Sequence, residues 1–237
     1  MINLQTYRLV PYRAANTRTE LFSSEWLRVA INKEVRDKRE ALEKEGVDTS
    51  HFYNHDPETG ITRIGYPLII YHYIEGVFYL TGINEGAFAL EKLALLYASP
   101  FAMNELMFQG FKKEKAVDKF ELATTGKPQS YQLVEWLPLH HKDLKAYRKM
   151  DMVAKVTGLN ERLEKHIAQE LGKYLGIKLD PINTAITDIT RVYPHPVIYK
   201  GYEYLAYDIV FTTNVSLPKL ITLGNNKALG HGRVEPL

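Results

Sequence analysis

Apolar and polar residues alternate through INLQTYRLVPY, residues 2–12, and alternation over that length predicts a β-strand. The period then changes. SSEWLRVAINKEVRDKREALEKE opens on serines suited to capping a helix and spaces Trp26, Leu27, Ala30 and Ile31 to face a core. Arg28, Lys33, Arg36 and Arg39 fall on its other faces. A loop dense in turn formers, GVDTSHFYNHDPETG, comes next. YPLIIYHYIEG and VFYLTGI predict two strands joined by a hairpin turn at Glu75-Gly76. NEGAFALEKLALLYA predicts an amphipathic helix with an asparagine cap. Strand, helix, strand, strand, helix is most of a ferredoxin-like unit.

In the second half, FELATTGKPQSYQLVEWLPL predicts two strands about Gly126 that pair back onto the first sheet. HKDLKAYRKMDMVAKVTGLNERLEKHIAQELGKYLGI predicts a helix broken near Gly158, with Leu159, Leu163, Ile167 and Leu171 as a core stripe at fourfold spacing. INTAITDITRV and HPVIYKGYEYLAYDIVFTTN predict further strands, with a second hairpin at Lys200-Gly201. The stretch LGNNKALGHGRVEPL follows them. Helix, strand, hairpin and loop form a shortened echo of the first half, with no sequence repeat. The pattern therefore predicts an α+β chain divided into residues 1–138 and 139–237.

Composition narrows this picture. The 237 residues are 45% hydrophobic and 24% charged, an ordinary globular profile able to bury a core without staples. Cysteine is absent, which removes disulfides and thiolate chemistry and agrees with a reducing cytoplasm. No apolar run approaches the roughly 18 residues that span a bilayer. The opening residues lack the apolar core of a signal peptide, so no membrane partner is expected. A net charge of +2 is a weak signal for polyanion binding, and local clusters matter more.

The eight histidines carry no metal-ligand spacing, so no metal or other cofactor is expected. His140 and His141 read as solvated cap residues, His166 as surface or boundary, His195 as part of a rigid turn between prolines, and His72 as structural. His55 differs. It sits in the turn-rich loop with His51, Tyr53 and Asp56 close by, and imidazole suits proton transfer near neutrality. Loops on rigid scaffolds gather catalytic groups, although a loop histidine is more often simple turn decoration. No nucleophile elbow or phosphate-binding loop motif is present. The closing GNNKALGHGR is the best candidate for anion contact, because its glycines permit positive φ and free backbone N–H groups, with Lys227 and Arg233 beside them. A tight turn between strands with Lys227 in solvent explains the same residues equally well.

Three stretches carry a resemblance. YPLIIYHYIEGVFYLTGINEGAFAL, WLPLHHKDLKAY and FTTNVSLPKLITLGNNKALGHGRV, in that order between residues 65 and 235, resemble one branch of the CRISPR-associated repeat-cleaving endoribonucleases, the Cas-six family. The first 60 residues match loosely. The resemblance implies two tandem ferredoxin-like (RRM-like) domains with antiparallel sheets. It further implies cleavage of CRISPR repeat RNA into guide RNAs without a metal, the ribose 2′-OH attacking the adjacent phosphate to leave a 2′,3′-cyclic phosphate. Where the family often carries His-Asn-His, this chain has Tyr53-Asn54-His55. The resemblance thus gives His55 the proton transfer. Tyr53 is then a donor to the phosphate, or His51 a second imidazole. Alternatively, the departure at Tyr53 leaves an RNA-binding protein of the same fold with little turnover. The glycine-rich stretch would hold RNA through Gly224, Lys227, Gly230, His231, Gly232 and Arg233, with Arg28, Lys33 and Arg36 as further cations. His231 stands where the family usually places an aromatic. Expected partners are the repeat RNA, other CRISPR effector proteins and a second copy of the chain.

Overall fold

The computed structural model describes residues 1–12, 22–53, 65–97, 100–104, 106–114, 119–179, 181–189 and 194–237. They form two compact units: Met1–Phe120 together with Ala228–Gly230, and Glu121–Lys227 together with His231–Leu237.

The first unit begins with β1 (Ile2–Pro11), α1 (Ser24–Asp37) and α2 (Arg39–Lys44), then β2 (Ile69–Ile74), β3 (Val77–Ile83) and α3 (Glu85–Leu95). β4 (Phe101–Met103), β5 (Leu106–Lys113) and β6 (Lys119–Phe120) complete it. The sheet order is β2-β3-β1-β5-β4, with β6 also on β1 and every pairing antiparallel. A central β1 between β3 and β5 is the ferredoxin-like order. Leu9, Ile69, Tyr71, Phe78 and Leu80 of the sheet share one core with Leu27, Ala30, Ile31 and Val35 of α1 and with Leu90 and Leu93 of α3. The expected hairpin is present. Glu75 and Gly76 have φ of 50° and 82°, the two positive values that let a two-residue turn follow the strand twist.

The caps divide. Ser23 caps α1 as expected, its Oγ accepting from Trp26 N at 3.0 Å. The single expected helix is two, because Lys38 leaves the helical region at φ −110° and ψ 14°. Asn84 makes no side-chain cap to α3. Its Oδ1 instead accepts from Asn3 N at 3.0 Å, tying the start of α3 to β1.

The second unit contains β7 (Thr124–Trp136), α4 (Leu144–Arg148) and α5 (Met152–Lys165). The last continues as π-helical turns over His166–Lys173. β8 (Thr184–Ile189), β9 (His195–Tyr199), β10 (Tyr202–Val215) and β11 (Arg233–Pro236) follow. The sheet order is β11-β7-β10-β8, with β9 paired to β10. This repeats the order of the first unit, with β7 central between the last strand and β10. The second crossover differs. Residues 216–232 join β10 to β11 with one 3-10 turn, Lys227–Leu229, where the first unit has α3.

Three expectations change here. FELATTGKPQSYQLVEW does not return to the first sheet; β7 runs unbroken through Gly126 and pairs with β10 and β11. Its buried Tyr131, Leu133 and Trp136 face the second core, so the units divide after Phe120 rather than after residue 138. The helical break falls at Asp151 instead of Gly158, because Asp151 Oδ1 accepts from Ala154 N at 2.8 Å and starts a new helix. Glycine inside a helix costs about 1 kcal/mol relative to alanine, too little to stop it. The stripe Leu159, Leu163, Ile167 and Leu171 is buried as expected. No helix among the described residues is long and apolar enough to cross a membrane.

Candidate functional site

In the first unit the residues converge on a cavity of about 170 Å³, lined by Arg28, His51, Tyr53, Gly65, Tyr66 and Tyr71. α1 supplies Arg28 from the side of the helix next to its buried stripe. A 3-10 turn, Thr49–Phe52, supplies His51 and leads into Tyr53. Asp48 starts this turn by accepting from Ser50 N at 2.9 Å. Phe52 plugs into the core, and Tyr71 of β2 donates to the Phe52 carbonyl at 3.0 Å. Burial pushes the Tyr71 hydroxyl well above the usual tyrosine range. Tyr53 donates to the Asn32 carbonyl at 3.4 Å, and His51 Nε2 lies 3.8 Å from Asp48 Oδ2.

Arg28 is the notable cation. Its Nε is buried with no hydrogen-bond partner among the described residues, and its nearest carboxylate, Glu25, is 4.0 Å away. A guanidinium with unmet donors beside a cavity is suited to an oxyanion. Lys33 and Arg36 sit exposed elsewhere on α1 and do not line the cavity. His55, two positions beyond Tyr53, lies outside the described residues.

In the second unit the glycine-rich stretch folds on the protein's own backbone. A Cβ on Gly232, at φ 70°, would stand 1.9 Å from the Leu223 carbonyl oxygen, and Leu223 N donates to Gly232 O at 2.9 Å. A Cβ on Gly224, at φ 95°, would meet Leu137 O at 2.9 Å and the Trp136 ring at 3.0 Å. Gly230, grouped with the first unit, packs in the same way on His72 and the Tyr71 carbonyl. His72 is buried, a structural residue as expected.

The cations of this stretch are engaged as well. Gly224 N donates to Glu170 Oε2 at 2.9 Å, while Lys227 Nζ reaches Glu170 Oε1 at 3.0 Å and Gly224 O at 3.2 Å. Burial raises the Glu170 carboxyl, and Lys227 and the Gly224 N–H pull it back down. Arg233 Nε donates to Glu235 Oε1 at 2.8 Å. The choice between turn and anion loop is thereby answered for the protein alone. The glycines serve close packing, and Lys227 is a half-buried brace instead of a solvated or free cation.

Sequence reading missed Glu135. The side chains of Leu133 and Trp136 both point inward, three positions apart, because a bulge interrupts β7 and puts Glu135 at φ 53°. That break in alternation was the available signal. Glu135 N donates to Asp208 Oδ1 at 2.8 Å. Its carboxylate lies 3.5 Å from His231 Nδ1 and 4.0 Å from His195 Nε2. The His231 ring beside it holds the Glu135 carboxyl below the usual range against burial, helped by the charges of His195 and Arg233. His195 therefore opens strand β9 and faces a carboxylate, where a proline-bound turn was expected. His166, expected at the surface or boundary, is partly buried and accepts from Trp136 Nε1 at 3.2 Å. Burial, reinforced by Lys227, Arg162 and Lys165, lowers its pKa to about 3. Among the described residues, no group of three or more His, Asp or Glu side chains is arranged to hold a metal ion.

The family model described as the Cas6b C-terminal domain matches residues 123–237, the span that holds β7 through β11. Over that span the chain carries a Cas6b-type C-terminal domain. Among solved structures, a crystal structure of Cas6b is similar over 100% of both chains at 19% identity and a TM-score of 0.72. A second, a CRISPR RNA processing endoribonuclease Cas6b, covers 100% of both chains at 18% identity and a TM-score of 0.65. Csf5, a CRISPR-Cas type IV Cas6 crRNA endonuclease, matches over 99% of both chains at 13% identity and a TM-score of 0.56. At these identities the likeness speaks to the fold, two antiparallel α+β units of ferredoxin-like order. No curated protein sequence matches the chain. The matched span begins just before β7, so WLPLHHKDLKAY lies within it and within the second unit.

Proposed function

We propose that this protein is an endoribonuclease of the Cas6 family that cuts CRISPR repeat RNA into guide RNAs in the cytoplasm, without a metal. The observation that carries the reading is the cavity of the first unit. Arg28 with an unpartnered Nε, His51 and Tyr53 line it, and the chain continues from Tyr53 into Asn54 and His55.

A base removes the proton from the ribose 2′-OH, the 2′-oxygen bonds to phosphorus, and the bond to the 5′-oxygen breaks. An acid returns a proton to that leaving oxygen. The products are a 2′,3′-cyclic phosphate and a 5′-hydroxyl. His55 carries proton transfer, worth about 10² to 10⁴ in rate, with His51 as the second imidazole. Tyr53 donates to the scissile phosphate. Arg28 stabilises the charge that grows on the phosphorane oxygens, and such preorganised donors are commonly the largest single contribution.

The test is single-turnover cleavage of a CRISPR repeat transcript. Cleavage in excess EDTA, cyclic-phosphate ends and a loss of about 10² or more in rate with His55→Ala are the expected results. Inhibition by EDTA together with undiminished cleavage by His55→Ala defeats the mechanism. Tyr53, standing where the family pattern has histidine, favours a second reading: a protein that retains repeat RNA without cutting it. Tight binding with no product selects that reading.

A further inference from the structure

A ring stack on the second unit lies apart from every residue assigned above. His140 and His141 lie with ring centroids 4.0 Å apart and tilted by 38°, and His141 stacks on Tyr202 at 4.1 Å and 23°. His141 is also pinned by Tyr204, whose ring meets it edge-on at 5.9 Å and whose hydroxyl lies 3.5 Å from its Nδ1. Partial burial, then the charges of His140 and Lys142, hold His141 below the usual histidine range. Tyr202 starts β10 beside the Lys200-Gly201 turn and stays 53% exposed although His141 covers one side. One tyrosine face is therefore open to solvent.

This platform forms a wall of a groove of about 610 Å³ that is also lined by Lys145, Arg148, Lys149 and Glu203. Arg148 pairs with Glu203 at 2.7 Å, which fastens α4 to β10 and consumes the groove's one carboxylate. Lys145 and Lys149 are four apart, on one side of the helical turn. Both are exposed, and neither has a carboxylate within ion-pairing distance among the described residues. An open aromatic face next to two uncommitted ammonium groups is the chemistry of a single nucleic-acid strand, whose bases stack and whose phosphates need cations. A duplex does not fit the platform, since its bases already stack on one another.

We propose that this groove takes an unpaired segment of RNA, one base extending the stack on Tyr202 and the adjoining phosphates lying along Lys145 and Lys149. The proposal rests on the reading of the protein as an RNA-processing enzyme, and it adds a contact site for single-stranded RNA.

The test uses fluorescence anisotropy on the full chain, with a labelled oligoadenylate about twelve nucleotides long and a duplex of equal length, at low salt. Tyr202→Ala is expected to weaken oligoadenylate binding about tenfold and to leave duplex binding unchanged, while Tyr202→Phe restores it. The Lys145→Ala/Lys149→Ala variant is expected to reduce the salt slope for oligoadenylate by about one to two. Equal affinity of the wild type and Tyr202→Ala for oligoadenylate overturns the proposal. So does a wild type that binds no oligoadenylate. Repeat cleavage by the wild type is measured in parallel. Its absence defeats the enzymatic reading, whereas cleavage together with an indifferent Tyr202 defeats this inference alone.

Discussion

The two units share a strand order and differ in one connection. In the first, α3 crosses from the third strand to the fourth and buries Ala89, Leu90 and Leu93. In the second, residues 216–232 make the same journey without a helix. Both solve one problem with glycine. A Cβ on Gly86 at the start of α3 would stand 2.0 Å from the Leu68 carbonyl oxygen, much as one on Gly232 would stand 1.9 Å from Leu223 O. A helix satisfies its own backbone groups, so the first unit needs few side chains to hold its crossover. A loop does not, so the second recruits Glu170 for Gly224 N and Lys227, and Thr222 Oγ1 for the Lys227 carbonyl. The π-helical turns put Glu170 and His166 where the loop and Trp136 need them, a use of extra helical width that is common near functional sites.

This comparison breaks first at Gly232. Gly232→Ala adds a positive-φ penalty to a clash with backbone, and we expect a loss of about 3 kcal/mol or more from the second unit. The chain has two tryptophans, Trp26 in the first unit and Trp136 in the second, so urea unfolding followed by fluorescence in a Trp26→Phe background reports on the second alone. Gly86→Ala is expected to do comparable damage to the unit that Trp26 reports. Unchanged midpoints would mean that the loop gives way easily and that the crossovers are not equivalent.

Next comes the brace. Glu170→Gln leaves Lys227 charged and only 18% exposed, and a loss of about 2 kcal/mol is expected, less than for a fully buried pair. Thermal unfolding with the Lys227→Met/Glu170→Leu double variant checks it. If the pair matters chiefly as a pair, the double variant is more stable than Glu170→Gln.

Acid should separate the units more gently. His166 has its pKa lowered to about 3 in the folded protein and near 6.5 when unfolded, so the unfolded chain takes up its proton first. The stability that neutral His166 gives is intact above about pH 6.5 and drains away as the pH falls toward 3. Glu170, raised by burial, opposes this at the acid end. The urea midpoint reported by Trp136 should fall across that window and fall less in His166→Gln. Smallest is the cap of α1: Ser23→Ala should cost the first unit about 1 kcal/mol and leave the second untouched.

Much of this was legible in the chain. Ile2–Pro11, the hairpin at Glu75-Gly76, the serine cap and the stripe from Leu159 to Leu171 follow from periods and turn residues that act over a few neighbours. The ordered motifs carry a resemblance to the family whose C-terminal domain model matches residues 123–237. Of the candidate site, the pairing of His51 with Tyr53 was readable because three residues of one short turn must stay together. That Arg28 joins them, while Lys33 and Arg36 do not, depends on how α1 packs.

The sequence by itself therefore determined most of the elements and their order. Tertiary structure decided which sheet received β7, what the glycines pack against, that Lys227 braces Glu170, that Glu135 meets His195 and His231, and that Tyr202 stacks on His141. The physical reason is range. Secondary structure is set by hydrogen bonds and side-chain periods between near neighbours, whereas these contacts join residues tens of positions apart, which come together only when a whole sheet has chosen its register.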